Sequence, residues 1–340
     1  MTHHIDPVRA VEALAKRALA ARNELARPGV GPAPSACTAV ESSADFIHRV
    51  NRSTRAAVQR AASPLPQDVQ LPQWPDTVRG VPNVVLRSAL FCAARSRAGE
   101  RPYLREELIA SVSGVEIRYT GERLDQGDLD AWQVLLHLAR EHTLGAEFDT
   151  TTYNLLRRLG KTDSGGRRGN RAALENRILR LRAALLGVRS DSITYYGNLI
   201  ERATRREGEA GNRWKVKMDP HLEALFGNNH YTHIDWQIRQ QMDGHALAQW
   251  LHGFYSSHAA PHPIATATLH KLCGSEAKHL FHFREKLREA LGVVANASTA
   301  NGQPFRAHMD GDLVLVERAP SKAQRKHLRK ANAESQVSVC

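Results

Sequence analysis

Leu174, Ile178, Leu181 and Leu185 recur at three- and four-residue intervals in a stretch crowded with arginine. That spacing draws one apolar stripe along a helix and forces the stripe against a core. Asn170, Ala173, Asn176, Arg177 and Arg180 are assigned to the free side, and the helix is entered through Gly165-Gly166-Arg167-Arg168-Gly169. Such a surface suits the major groove of DNA: Arg pairs with guanine, Asn with adenine, and Ala lets the backbone approach closely. The plainer alternative is a solvated helix that its arginines keep soluble. The rest of the chain bears on the choice.

A formal net charge of +12 over 340 residues favours a polyanionic partner, of which nucleic acid is the commonest. Cys37, Cys92, Cys273 and Cys340 form no CxxC pair, which argues against a zinc ribbon or a disulfide framework and for free thiols in a reducing cytosol. No apolar run is long enough to span a bilayer and nothing near the start combines a basic flank with an apolar core, so the expectation is a soluble cytoplasmic protein that is neither exported nor held in a membrane.

Residues 1–66 hold too few large apolar side chains for a core of their own. They read either as a partly helical, flexible arm that binds a partner or as a helical hairpin packed on the first domain. From Trp74 the composition becomes that of a folded domain. Residues 116–120 alternate as a strand, and 128–142 and 149–160 have helical periodicity, the second with Thr150, Thr151 and Thr152 as N-terminal caps and Tyr153, Leu155, Leu156 and Leu159 as its apolar face. The basic helix follows. Strand patterns at 192–196 and 213–218 then flank a polar segment and predict a hairpin.

The order repeats. Residues 234–238 and 246–255 predict helix, 266–272 a short helix, and 276–291 a second basic helix buried through Leu280, Phe283, Leu287 and Leu291. Residues 293–295 and 313–316 predict the second hairpin. Helix, turn, basic helix and hairpin, occurring twice, point to a mainly α fold with small β-hairpins (α+β): two tandem winged-helix domains at 67–227 and 228–318. A basic, mobile tail occupies 319–340, with Lys322, Arg325, Lys326, Arg329 and Lys330.

No catalytic centre, metal site or cofactor site is expected. Gly160-Lys161-Thr162 resembles the end of a phosphate-binding loop, but Leu155 stands where the first glycine is needed. Tyr195 and Tyr196 lack the His-x-His of a nickase. His230 with His233, and His279 with His282, have no carboxylate or thiol to complete a metal site.

Beside this reading stands a likeness of blocks. Trp74-Pro75-Asp76-Thr77, Pro82-Asn83, Arg87-Ser88-Ala89-Leu90-Phe91, Tyr119-Thr120-Gly121, Trp132-Gln133, His230-Tyr231-Thr232, Phe254-Tyr255-Ser256-Ser257-His258, Leu272-Cys273-Gly274-Ser275 and Arg284 occur in order. Over residues 70–317 the chain resembles the TrfA-type plasmid replication initiators. The resemblance implies two winged-helix domains that bind direct repeats (iterons) in double-stranded DNA, promote opening of the origin and recruit the host replicative helicase. It also implies copy control through a homodimer, with the monomer as the active form. A sliding-clamp peptide of that family has its counterpart in Gln70, Leu71 and Trp74, although the apolar end differs here; the alternative is a linker whose Trp74 packs on the first domain.

The base-reading candidates are therefore Asn170, Ala173, Asn176, Arg177 and Arg180, and Lys278, His279, His282 and Lys286 in the second unit. Arg167, Arg168, Arg171, Lys215, Lys217 and Arg284 are the phosphate candidates. The alternative function is a winged-helix transcriptional repressor.

Overall fold

In the computed structural model, which describes residues 69–94, 101–166, 169–191, 194–206, 212–227, 230–326 and 328–329, helix and strand are mixed throughout. The arm at 1–66 lies outside the described residues. The chain enters along β1 (Val78–Pro82), a one-turn α1 (Asn83–Leu86), β2 (Phe91–Cys92), β3 (Tyr103–Ile109), β4 (Val115–Glu122) and β5 (Leu124–Asp125). Then comes α2 (Gln126–Ala139), which starts where it does because Asp125 and Asp128 cap it reciprocally. Each carboxylate accepts the other residue's backbone N–H at 3.0 Å.

β6 (Glu147–Thr151) leads into α3 (Thr152–Arg158), whose first turn is capped by Thr151 Oγ1, 3.1 Å from the Asn154 amide it accepts. The basic helix is α4 (Asn170–Ala183), followed by β7 (Leu185–Ser190), β8 (Thr194–Asn198), β9 (Arg202–Arg206), β10 (Arg213–Lys217) and a short α5 (Glu223–Phe226). The remainder is β11 (Tyr231–Asp235), α6 (Trp236–Gln241), α7 (Ala246–Ser256), β12 (Ile264–Ala265), α8 (Thr266–Leu272), α9 (Leu280–Ala300), β13 (Phe305–Asp310) and β14 (Leu313–Arg318).

One topology occurs twice. Helix, strand, helix, helix and hairpin appear as α2, β6, α3, α4, β9 and β10, with sheet order β6-β10-β9, and again as α7, β12, α8, α9, β13 and β14, with sheet order β12-β14-β13. In the first copy, β7 and β8 are inserted after α4 and join β3 and β4 in a separate sheet of order β3-β4-β7-β8. Each copy has its own hydrophobic cluster, the first around Trp132, Leu155, Ile178 and Val216 and the second around Trp250, Phe283, Leu287 and Val314. β1 pairs antiparallel with β11, Val78 opposite Asp235, so a strand from the first stretch is closed by one that precedes the second copy.

Several expectations are corrected, mostly in favour of strand, and the fold is less α-dominated than its periodicities suggest. Residues 149–151 end β6, and Ile234 lies in β11, because each finds a hydrogen-bonding partner far away in sequence. The strands at 194–198 and 213–217 do not pair with each other. β8 pairs with β7, and β10 lies between β9 and β6. Residues 293–295 belong to α9, where Val294 falls at helical spacing from Leu287 and Leu291 and burial overrides the strand preference of valine. Tyr153 is exposed, not core. The beginning of the tail is tied down, since Gln324 Nε2 donates to the Ser256 carbonyl at 2.8 Å.

The Trp74 ring packs against Gly80, where a Cβ would stand 2.6 Å from the indole. Gly80→Ala should therefore destabilise the fold by about 1–3 kcal/mol through overpacking, measured by urea unfolding.

Candidate nucleic-acid interface

The third helix of each copy is seated by its own apolar residues. α4 buries Leu174, Ile178 and Leu181. With 100° per residue, the direction opposite that stripe is occupied by Ala172, Asn176, Leu179 and Ala183. Exposure agrees: Ala173, Asn176, Leu179, Arg182 and Ala183 are open to solvent. Leu185, expected on the buried stripe, starts β7 and is half exposed, because the chain turns extended at Ala184 to pair with Thr120 and Asn198.

The candidate residues of this helix separate into two groups. Ala173 and Asn176 face outward. Asn170 uses its amide on the preceding loop, donating from Nδ2 to the Thr162 carbonyl at 2.8 Å. Arg177 and Arg180, expected on the free face, turn toward α2. The Arg177 guanidinium lies over Gly127, close enough to exclude a Cβ there. Arg180 Nη2 donates to Asp128 Oδ1 at 2.7 Å, with the Arg180 and Asp128 side chains 14% and 0% exposed. A buried carboxylate captures the nearest guanidinium, so Arg180 is held inside the protein. Arg171 pairs with Asp163 at the surface, its Nη2 2.8 Å from Oδ2. Arg167 and Arg168 lie outside the described residues.

On the hairpin, Lys215 Nζ is 3.7 Å from Glu147 and Lys217 Nζ is 2.8 Å from Glu201. These are surface ion pairs of small net worth, readily exchanged for a phosphate.

In the second copy, α9 buries Phe283, Leu287, Ala290, Leu291 and Val294. Lys278, His279, His282 and Lys286 are all exposed at or near its N-terminal end. The rings of His279 and His282 are 6.0 Å apart, and His282 Nδ1 lies 3.7 Å from Glu285. Arg284 is half-buried and paired with Asp312 on the hairpin turn. Sequence reading passed over Leu179, Arg182, Phe281 and Arg288, all exposed on these two helices. The helical angle that places Leu179 outward was available from the stripe itself; its apolar character concealed it.

A cleft of about 330 Å³ separates α4 from α6 and α7 and is lined by Arg101, Asp125, Asp130, Asn176, Arg177 and Arg239 among others. Arg239 of α6 is 1% exposed and bonds to both copies: it pairs with Asp130 of α2, its Nη2 donates to Gln126 Oε1 at 3.1 Å, and its Nη1 donates to the Gln249 carbonyl of α7 at 3.3 Å.

The segment that could hold a clamp peptide packs on the first domain, as the linker alternative expects. Leu71 and Trp74 are 2% and 4% exposed. Trp74 Nε1 donates to His137 Nδ1 at 3.0 Å, its ring stacks on Phe226 at 6.2 Å, and Gln70 forms a β-bridge with Thr143. Leu71 and Trp74 form part of the core while Gln70 is exposed, and docking the two apolar side chains on a partner would require pulling them out. Among the described residues, no group of three or more His, Cys, Asp or Glu side chains converges as a metal site, and no helix is long and apolar enough to cross a membrane.

Residues 42–318 match the family model described as TrfA protein. Over 284 residues the chain is 29% identical to the plasmid replication initiator protein TrfA of Escherichia coli, a match covering 81% of this chain and 72% of that protein. Among solved structures, two crystal structures of RctB domains 2 and 3 are similar. Their TM-scores are 0.47 and 0.44, each at 14% identity and covering 71% of this chain and 98% of the other.

Proposed function

The chain belongs to the TrfA protein family, and on that premise we propose that it acts as a plasmid replication initiator by binding direct repeats in duplex DNA through two winged-helix units. The observation that carries this reading is the repeated topology. In both copies the third helix is followed by a hairpin, directly or after the β7–β8 insertion, and presents a solvent-facing side with basic residues. α4 and α9 are the recognition helices, entering successive major grooves about 34 Å apart, and β9–β10 and β13–β14 are the wings.

Asn176 reads adenine in the first unit, and Lys278, His279, His282 and Lys286 face base edges in the second. Arg171, Arg182, Lys215, Lys217 and Arg288 hold phosphates and set the register. Arg180 and Arg177 serve another purpose, fixing α4 against α2 so that Asn176 is presented at a constant angle.

The chain works by binding and catalyses no reaction. Bending a site of this length costs about 1–6 kcal/mol, which several bound copies offset jointly, and the opened AT-rich segment then receives the host helicase. Dimerisation withdraws active monomer and limits copy number, in the bacterial cytoplasm. A repressor acting at a promoter is the second reading, since the same two helices would serve it.

Footprinting of the DNA that flanks the gene decides between them. Regular protection of direct repeats beside an AT-rich stretch is expected, with Asn176→Ala weakening it by about 1–3 kcal/mol and Arg180→Ala acting through stability. Protection of a single palindrome at a promoter would support the repressor. No protection would defeat both.

A further inference from the structure

Eight large apolar side chains are exposed among the described residues. Four of them, Tyr103, Leu108, Leu185 and Tyr196, are in the sheet built from β3, β4, β7 and β8. Two others occupy equivalent elements of the two copies: Leu179 on α4 is 51% exposed and Phe281 on α9 is 63% exposed. Neither belongs to a hydrophobic cluster. Both stand on helices whose other outward residues are polar, charged or small. Isolated exposed apolar residues are ordinary. One on the outward face of each third helix is a pattern that asks for a shared partner.

We propose that Leu179 and Phe281 are specificity residues that read thymine, each by packing on a thymine 5-methyl group in the major groove. The inference rests on the reading of α4 and α9 as recognition helices and adds which bases they select. Thymine is the one base whose major-groove edge carries a methyl group, and apolar side chains recognise it by contact alone.

The surroundings fit that chemistry. Leu179 follows Asn176 by three residues and precedes Ala183 by four, so all three share one face of α4. Asn176 can take the N6 and N7 groups of an adenine while Leu179 lies against a thymine methyl of the same or the adjacent pair. Phe281 is the second residue of α9, and the N-terminal residues of a recognition helix are the ones that reach base edges. Its ring is held edge-on to His282 at 5.5 Å, and Lys278 and His279, assigned to base edges, are exposed just before it, so Phe281 stands among the residues that face the bases. The net charge of +12 supplies the attraction that brings an apolar side chain against so polar a partner.

The test uses the full-length protein and a duplex that it has itself selected from random sequence. That duplex is resynthesised with each thymine in turn replaced by uracil, which removes the methyl and leaves every hydrogen-bonding group. For the wild-type protein, uracil at one position should weaken binding about fourfold for the first helix and similarly at another for the second, the value of one buried methyl group. Phe281→Ala should bind the thymine duplex more weakly and should no longer distinguish thymine from uracil at one of those positions. Leu179→Ala should do the same at the other. Both variants should melt at the wild-type temperature, since neither side chain is part of the core.

If the protein selects a sequence but uracil weakens wild type and variants equally, or weakens none of them, the thymine-reading role is overturned while the DNA-binding reading stands. If no sequence is selected, the recognition-helix reading fails, and this inference fails with it.

Discussion

Asp128→Ala should destabilise the protein by about 3–5 kcal/mol, the usual consequence of removing one partner from a buried ionic cluster. The Asp128 side chain is 0% exposed, and its carboxylate meets Arg101 Nη1 at 3.2 Å and Arg180 Nη2 at 2.7 Å. It also accepts the Asp125 amide at 3.0 Å and closes the capping box of α2. Without it, two guanidinium groups that are 12% and 14% exposed lose a counter-ion where water can replace it only poorly. The capping loss alone is worth about 0.5–2 kcal/mol. Urea unfolding of Asp128→Ala beside Arg180→Ala checks this. Arg180→Ala should cost less, because Arg101 remains on the carboxylate. Equal small losses would show that the cluster carries no stability.

The second large effect is acid lability. The unfolded chain takes up a proton on each histidine near pH 6.5. Burial, with Arg79 and Arg140 nearby, lowers His137 to about 3. Burial, with Arg239 and Arg318, lowers His252 likewise to about 3. The bonding around His137 explains why it stays neutral. Trp74 Nε1–H can only donate, so Nδ1 must be the acceptor, and Nε2–H is left to donate to Asp76 Oδ1 at 3.0 Å. Protonating Nδ1 would set two donors against each other.

The folded pKa values lie below the unfolded one. Stability is therefore fully present above about pH 6.5 and is lost as the pH falls toward 3, because the unfolded state binds more protons. Between pH 7 and 5.5 the two histidines should together remove about 2.5 kcal/mol, and His258, lowered to about 4 by burial and Arg87, acts in the same direction. Guanidinium unfolding at the two pH values measures it. A change below about 1 kcal/mol would mean that these rings ionise in the folded protein.

The long periodic segments were legible without coordinates. α2, α7 and α8 run close to where the apolar spacing puts them, and the doubled order of helices and hairpin was visible as a repeat. The short strands were not. β6 and β11 carry no strong local signal, and their hydrogen bonds come from partners remote in the chain, β10 and β1; β9 pairs with the next strand but lacks an alternating apolar pattern of its own. The candidate site was legible in part. Asn176, Lys278, His279, His282 and Lys286 are exposed as expected, whereas Arg180 is claimed by Asp128, more than fifty positions earlier, a pairing that spacing within one helix cannot reveal.

The sequence by itself determined the long helices and the apolar stripe of each, the basic character of the two third helices and the family to which the chain belongs. These depend on composition and on periods of a few residues, which a single strand of text preserves. Only the tertiary structure decided which arginines of α4 are free, that Leu71 and Trp74 belong to the core, and that Leu179 and Phe281 stand outside it. Burial and ion pairing are properties of what approaches a side chain from elsewhere in the chain, and that approach is set by packing, not by neighbours in sequence.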